Sequence, residues 1–164
     1  MIKLRALEPN DIDLLFTVEN DQSLWWVGNT NVPYSRQFLS NYILSTTGDI
    51  YTDKQLRIVI EQDSRPVGLI DISNFDPKNM RAELGIIIMK ECQNKGIAWE
   101  AMTLVENYAT EVLRLHQLYA IIPETNIPSL NLFSKCSFSF RSKLVDWIAE
   151  GENYKNAYLV QKIL

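Results

Sequence analysis

Residues 81–101, RAELGIIIMKECQNKGIAWEA, carry the strongest structural signal in the chain. They begin with an apolar run, Arg81 to Met89, which is flanked by charges as expected of a central strand buried on both faces. A short polar turn that contains Gly96 follows, and after it apolar residues recur at helical spacing. The stretch therefore predicts a buried strand, a polar turn and a long helix in direct succession.

The polar turn at residues 93–98 is a candidate anion site, because the first N–H groups of a helix lack partners within that helix. Gly96 would permit a positive φ and a close approach of a ligand to the backbone, and small Ala98 would keep the entrance clear. Lys95 could add positive charge for a phosphate. The Gly–Lys–Ser/Thr sequence of a P-loop is missing, which disfavours a magnesium-dependent nucleoside triphosphatase. An ordinary strand-to-helix corner, whose glycine only makes the turn, is the alternative interpretation.

Alternation and helical spacing predict the other elements of the chain. These are strands near residues 2–5, 56–60, 67–72, 118–122, 139–148 and 158–163, and helices near 12–19, 36–43, 97–113 and 127–135. Ser35 and Asn126 each precede a helical run as a cap would. The two hairpins would turn at 62–66, a polar segment that contains proline, and at 149–153. Because no repeat or linker interrupts the pattern, we expect one domain over residues 1–164.

Composition and charge argue against several classes of protein. The 164 residues are 46% hydrophobic, which is typical of a globular protein with a packed core. Lysine and arginine number 16 against 20 aspartate and glutamate, so no basic surface for nucleic acid or anionic lipid is expected. Without a signal-like start or a long apolar run, we expect a cytoplasmic protein with no membrane segment. Two cysteines and one histidine predict free thiols and no metal site.

Four separated segments together resemble the GNAT superfamily of acetyl-CoA-dependent N-acetyltransferases, over essentially the whole chain. They are IKLRALEPND at 2–11, AELGIII at 82–88, QNKGIAWEA at 93–101 and NIPSLNLFSKCSF at 126–138. Within that superfamily the combination is most similar to ribosomal-protein N-terminal acetyltransferases and spermidine acetyltransferases. The resemblance implies an α/β (α+β) fold with a twisted, mainly antiparallel mixed sheet flanked by helices. It also implies that this sheet splays between the strand at 81–89 and the strand at 118–122.

The same resemblance implies acetyl-CoA as co-substrate and a set of residues that hold it. The pyrophosphate would bind the amides of the turn, and pantetheine would fill the gap between the splayed strands like a substitute strand. A backbone N–H of the strand would bind the thioester oxygen, and the helix after Asn126 would border the pantetheine arm. The implied cofactor-binding residues are Ile86, Ile87, Ile88, Gln93, Asn94, Lys95, Gly96, Ile97, Ala98, Asn126, Phe133 and Lys135.

The reaction implied by the resemblance is direct attack of a neutral primary amine on the acetyl thioester, with a backbone amide stabilising the oxyanion. An ammonium group must first lose its proton, and Glu83 is the candidate general base because its strand would face the acceptor. The alternative is a strand glutamate that pairs with Arg81 or another cation. Glu100 also fits the family pattern, but we interpret it as a helix-dipole or packing residue.

The sequence departs from the family pattern at two positions. Phe133 stands where many members have a tyrosine near the departing sulfur; phenylalanine cannot donate a proton, so a packing role and protonation by water are expected. Ser137 replaces a glycine, which predicts strain of about 1–2 kcal/mol if that residue is left-handed. An acyl-cysteine route through Cys92 or Cys136 is disfavoured because His116, the single histidine, is expected at the opposite end of its strand connection.

The acceptor stays open between a peptide or ribosomal-protein N-terminus and a small amine. A polyamine is disfavoured because Gly28 to Ser35 contains no carboxylate to hold a polycation. Aromatic residues could line an acceptor pocket, although core and loop packing is the preferred interpretation: Trp25, Trp26, Tyr34, Tyr42 and Tyr51. A non-catalytic CoA-binding regulatory module is the alternative function. Sheet edges near the C-terminal strands make a homodimer possible.

Overall fold

The computed structural model describes residues 1–28 and 30–164. The strands form one seven-stranded sheet in the order β1-β2-β3-β4-β5-β7-β6. They are β1 (Ile2–Ala6), β2 (Leu56–Gln62), β3 (Arg65–Asp76), β4 (Arg81–Ile88), β5 (Gln117–Pro123), β6 (Ser139–Glu150) and β7 (Asn153–Ile163). The helices are α1 (Ile12–Glu19), α2 (Arg36–Ser45), α3 (Ile50–Asp53), α4 (Ile97–Glu111) and α5 (Ile127–Lys135). No helix of the described residues is long and apolar enough to cross a membrane.

The predicted helix caps are confirmed. Ser35 Oγ accepts a hydrogen bond from the Phe38 N–H at 3.1 Å, and Asn126 Oδ1 accepts one from the Ser129 N–H at 3.3 Å. Each bond satisfies a donor that has no partner inside its helix, which fixes where α2 and α5 begin. The segment before α2, where the sequence predicted neither a helix nor a strand, contains a 3₁₀ helix at Gln22–Val27.

The hairpin between β2 and β3 turns more tightly than the sequence predicted. Asp63 and Ser64 form the turn, and both have a positive φ, as in a two-residue type I′ turn. Pro66 lies inside β3 rather than in the turn. A type I′ turn matches the right-handed twist of the two strands. Because the turn takes only two residues, both strands extend further than their apolar residues indicated.

The sheet separates two hydrophobic clusters, because successive side chains of a strand point to opposite faces. On one face, β-strand residues such as Ile70 pack against Met102 and Val105 of α4. On the other face, Val59 and Leu69 pack against α1 and α2. Helices therefore cover both sides of β4, and both layers can contribute to a site at its end.

The sheet splits between β4 and β5, as the resemblance implied. The two strands run parallel and pair only at Arg81↔Gln117, Ala82↔Leu118 and Glu83↔Tyr119. Beyond Glu83 they diverge, while β4 stays paired with β3 as far as Ile88. The expectation of a strand buried on both faces is wrong for residues 86–88, which are half-buried because no strand lies beside them on that edge.

Candidate active site

The free edge of β4 presents two backbone N–H groups to the gap. Met89 N–H donates to Val67 O at 2.9 Å, so alternate residues of the antiparallel ladder, Ile87 among them, direct their N–H and C=O groups to β3. Ile86 and Ile88 therefore face the gap. The Ile88 carbonyl confirms this direction, because it accepts a hydrogen bond from Gln93 Nε2 at 2.9 Å. Of the three residues implied to bind the thioester oxygen, Ile87 has its amide turned away from the gap.

The turn before α4 leaves five consecutive amides without acceptors. Among the residues that the structure describes, none accepts a hydrogen bond from the N–H groups of residues 94–98. The first amides of α4 that find an acceptor are those of Trp99 and Glu100, which donate to Gly96 O at 3.1 and 3.2 Å. The free amides lie at the positive end of the helix dipole, where a diphosphate is stabilised. This turn fits the pyrophosphate group of the co-substrate.

Gly96 gives the turn its shape. Its φ is +81°, in the region that L side chains rarely adopt, and it directly precedes the first residue of α4. A Cβ built there would meet nothing within 4 Å, so the space above it is open for a ligand. Lys95 does not extend into that space, because its Nζ donates to Glu91 O at 2.7 Å. The amides, rather than a lysine side chain, are thus the exposed donors.

The α5 residues divide between packing and surface. Phe133 is only 2% exposed, and its ring packs edge-on against Phe138 with centroids 4.8 Å apart. This agrees with the expected packing role. Lys135 is exposed, and its Nζ lies 5.6 Å from the centre of the Trp99 ring on α4. Asn126 is half-buried at the start of α5, so α4 and α5 stand on either side of the exit from the gap.

A cavity of about 330 Å³ lies beside β4 on the face covered by α1 and α2. Glu83 lines it and is half-buried, with Oε2 accepting a hydrogen bond from Asn74 Nδ2 at 2.7 Å. The alternative pairing of Glu83 with Arg81 does not occur: Arg81 instead binds Asp76, at 3.2 Å. A carboxylate without a cationic partner therefore borders this cavity at the point where the sheet splits.

Three more charged residues line the cavity, and the sequence reasoning missed them. Arg57 on β2 binds Asp71 on β3 at 2.6 Å and Glu19 at the end of α1 at 2.5 Å. Arg57 and Asp71 are directly paired across the hairpin, so their charges on one face of two apolar strands were a usable signal. Glu19 could not be assigned from sequence because it reaches the cluster from another element. Three carboxylates, including Glu83, thus line the cavity together with one guanidinium.

Only some of the candidate aromatic residues reach the cavity. Trp25 and Tyr42 line it, and Trp25 Nε1 donates to Glu19 O at 2.9 Å. Burial raises the pKa of the Tyr42 hydroxyl, so it stays protonated across the physiological range. Tyr34 instead stacks on Phe38 and Tyr51 packs edge-on against Phe75, while Trp26 is largely exposed. Packing is therefore the role of Tyr34 and Tyr51.

Neither thiol forms a hydrogen bond with His116. Cys92 follows β4 and His116 precedes β5; because these strands are parallel, the two residues lie at opposite ends. Cys136 is buried, and that burial raises the pKa of its thiol. The geometry thus offers no Cys–His pair among these residues for an acyl-cysteine route.

Comparison with known proteins places this architecture in a family. The sequence pattern of the Acetyltransferase (GNAT) domain matches residues 2–139. The chain belongs to the GNAT acetyltransferases. This GNAT enzyme transfers an acetyl group from acetyl-CoA to an amine, as the sequence predicted.

Individual relatives agree with the two branches named from the sequence. The chain is 29% identical to spermidine N(1)-acetyltransferase of Escherichia coli K12 over 160 residues, which cover 95% of this chain and 82% of that protein. It is 31% identical over 121 residues to the putative ribosomal N-acetyltransferase YdaF of Bacillus subtilis, covering 71% and 66% of the two chains. None of these relatives supports the non-catalytic alternative.

Solved structures share the fold over nearly the whole chain. Spermidine N-acetyltransferase from Vibrio cholerae, in complex with CoA and spermine, aligns with a TM-score of 0.87 at 24% identity. That alignment covers 99% of this chain and 95% of the other. A dodecameric structure of the Vibrio cholerae enzyme aligns with a TM-score of 0.82 at 25% identity, covering 99% and 93%. The predicted fold class is confirmed.

Proposed function

We propose that this GNAT enzyme acetylates a cationic primary amine whose charged body lies in the cavity beside Glu83. The observation that carries this proposal is the excess of negative charge there: three carboxylates, from Glu19, Asp71 and Glu83, line the cavity, and Arg57 supplies one guanidinium, which pairs with the first two. A partly enclosed cavity strengthens such a field and concentrates cations within it. A neutral or acidic acceptor would gain nothing from this arrangement.

A polyamine is the first acceptor class to test. The sequence argument against it looked for carboxylates between Gly28 and Ser35, whereas the cavity takes its acidic groups from α1, β3 and β4. Two relatives named spermidine acetyltransferases add to this proposal, since they match over most of this chain. A peptide N-terminus is the second candidate, favoured by the similarity to a putative ribosomal N-acetyltransferase.

The co-substrate binds along the free edge of β4 and the start of α4. The amides of residues 94–98 hold its pyrophosphate, and the gap-facing amides of Ile86 and Ile88 serve pantetheine and the thioester oxygen. Acetyl-CoA supplies an activated thioester. Asn126 and Lys135 border its arm from α5, while Phe133 contributes only packing. The proposed cradle is therefore mostly backbone.

Glu83 accepts the proton of the incoming ammonium group, directly or through one water molecule. Its place on the last pair of the β4–β5 ladder puts the carboxylate between the acceptor cavity and the gap. With Phe133 buried in the core, no tyrosine at that position protonates the departing sulfur. Solvent can do so, because a thiol pKa of about 8.5 makes the leaving group only modestly basic.

A thiol-release assay with acetyl-CoA tests the acceptor class. Spermidine and spermine, N-terminal peptides and aminoglycosides serve as acceptors at matched concentration. We expect the polyamines to give the highest kcat/KM and added salt to lower it, because exposed charge attraction is screened. Efficient turnover of uncharged or acidic peptides, without turnover of polyamines, would contradict the proposal.

The variant Glu83→Gln tests the proposed base. We expect kcat to fall by about 100-fold, the usual contribution of a positioned base, with the Kd of acetyl-CoA unchanged. Glu152→Gln, a matched change in the exposed turn between β6 and β7, is the control and keeps full activity. Unchanged rates for Glu83→Gln at every pH would remove this residue from the mechanism.

The enzyme assembles into a homo-oligomer and works in the cytoplasm, where acetyl-CoA is available. Support for the assembly comes from the exposed edge strand β6 and from the dodecamer formed by a structurally similar enzyme. The predicted single domain over residues 1–164 also belongs to this proposal. Sedimentation of the purified full chain measures the assembly directly.

A further inference from the structure

One neutral side chain holds the Glu83 carboxylate. Asn74 Nδ2 donates to Oε2 at 2.7 Å, and the other carboxylate oxygen, Oε1, accepts no hydrogen bond from any described residue. No described lysine or arginine forms an ion pair with Glu83 either. One oxygen is thus fixed by a donor while the other remains available to a group in the cavity.

Asn74 reaches Glu83 through an irregularity in β3. Ser73 pairs with Glu83 across the ladder, so in a regular strand the side chain of Asn74 would point to the opposite face. Instead the register shifts between Ser73 and Asp76, and Asn74 has a φ of +48°. Bulges of this kind re-aim a side chain, and asparagine tolerates the left-handed conformation better than most residues.

We infer that Asn74 is a positioning residue for the acetyl-transfer reaction: it fixes one oxygen of the Glu83 carboxylate so that the other faces the acceptor amine. This inference rests on the proposed role of Glu83 as the base. Without Asn74, the long glutamate side chain regains rotational freedom, and its productive orientation becomes one of several.

Other charged and titratable groups lie near Glu83 or line the same cavity without a hydrogen bond to it. They are Tyr119 on β5, Arg57 on β2, Asp71 on β3, Glu19 at the end of α1 and Arg81 on β4. Burial and then the charge of Glu83 raise the pKa of Tyr119, so this neighbour remains neutral at physiological pH. The Asn74 amide partly offsets this rise in the pKa of Tyr119, so its removal leaves Tyr119 neutral at physiological pH.

Two substitutions test the inference, and both are compatible with the positive φ of residue 74. Asn74→Gly removes the amide and relieves the left-handed conformation, and Asn74→Asp keeps the shape but replaces the donor with a negative charge. We expect Asn74→Gly to lower kcat about tenfold, as the loss of a hydrogen bond to a charged group would. We expect the acceptor KM and the Kd of acetyl-CoA to stay unchanged. Asn74→Asp should lower kcat further.

Control variants distinguish a positioning role of Asn74 from a general effect of substitution on the protein, and from a failure of the proposed role of Glu83. Asn153→Gly, the same change on the exposed start of β7, should leave kcat unchanged. In the Glu83→Gln background, Asn74→Gly should cause no further loss, because the group that it orients is already gone. Wild-type kcat in both Asn74 variants, with a slow Glu83→Gln variant, would overturn the inference alone. A fully active Glu83→Gln variant would overturn the proposed base and this inference together.

Discussion

Ser137 ends α5 with a φ of +66°, a conformation that usually belongs to glycine. The cap around it is nevertheless complete. Phe138 N–H donates to Phe133 O and Ser137 N–H donates to Ser134 O, both at 3.0 Å, which is the Schellman pattern. The packing of Phe138 on Phe133 supplies the hydrophobic contact of the motif. The chain therefore keeps the cap and carries the backbone strain of a serine.

Replacing this serine should stabilise the protein. We expect Ser137→Gly to raise the free energy of unfolding by about 1 kcal/mol, because it relieves the left-handed strain without removing a bond of the cap. Urea denaturation followed by fluorescence measures the change. Ser134→Gly, one turn earlier and inside the helix, should lower the same free energy by about 0.5–1 kcal/mol. A loss of stability in Ser137→Gly would contradict the assigned strain.

Asp11 gives the second prediction at this scale. Its side chain is buried; Arg5 binds both carboxylate oxygens, at 2.7 and 2.8 Å, and the Glu8 N–H donates to it at 2.8 Å. The hydrogen bonds from Arg5 hold the pKa of this carboxyl below its ordinary value. Because the folded pKa is the lower one, the stabilisation is present above the unfolded value of about 3.9 and is lost as pH falls below it.

The variant Asp11→Asn should therefore have a lower free energy of unfolding than the wild type at pH 6. Between pH 6 and pH 3, its free energy of unfolding should fall by less than that of the wild type. Urea midpoints between pH 6 and pH 3 measure both effects. Asp146→Asn, on the exposed strand β6, is the control and should follow the wild-type curve. An Asp11→Asn curve parallel to that of the wild type would show that this carboxyl contributes nothing to the pH dependence.

Helices, strands and part of the site could be predicted from the sequence where the pattern that marks them lies within one segment of the chain. Side-chain caps, alternation and helical spacing lie within one segment, which is why α4, the sheet strands and the turn at 93–98 were found. The short helices Gln22–Val27 and Ile50–Asp53 were missed because they span too few residues for a period to show. The cluster around Arg57 and the bulge at Asn74 depend on pairing between strands, which no single segment reveals.

The junction of β4 with α4 gives a prediction about the co-substrate. We expect Gly96→Val to weaken acetyl-CoA binding at least tenfold, because a β-branched residue disfavours the φ of +81° and obstructs the close approach of a ligand. Isothermal titration calorimetry measures the Kd. Gly151→Val, with a φ of +62° in the turn between β6 and β7, imposes similar backbone strain away from the site. Equal Kd values for both variants and the wild type would contradict the role of this turn.

At the scale of the whole molecule, the hairpin of β6 and β7 stands apart from the rest. Most of β6 is exposed, and β6 forms one outer edge of the sheet. Its exposed apolar side chains include Val145 at 70% and Trp147 at 54%. An open strand edge with apolar side chains favours pairing with another chain. We expect this hairpin to be buried at the interface of a homo-oligomer.

A charge on this hairpin should shift the assembly. We expect Trp147→Glu to lower the molar mass in solution toward that of one chain, measured by sedimentation velocity at several protein concentrations. Val112→Glu, at an exposed apolar position after α4, is the control and should leave the mass unchanged. A wild-type protein that sediments as a monomer at every concentration would contradict the proposed assembly.

The five acceptor-free amides before α4 bear on which positions of this turn tolerate substitution. In the role proposed for them, the grip on the nucleotide end of the co-substrate belongs to atoms that every amino acid except proline carries. The codon for Lys95 could then drift, or be randomised in a library, with little loss of affinity, provided that Gly96 and Asn94, whose φ is +61°, are kept. A directed-evolution library for new acceptors can therefore leave this turn unchanged and vary other positions of the chain.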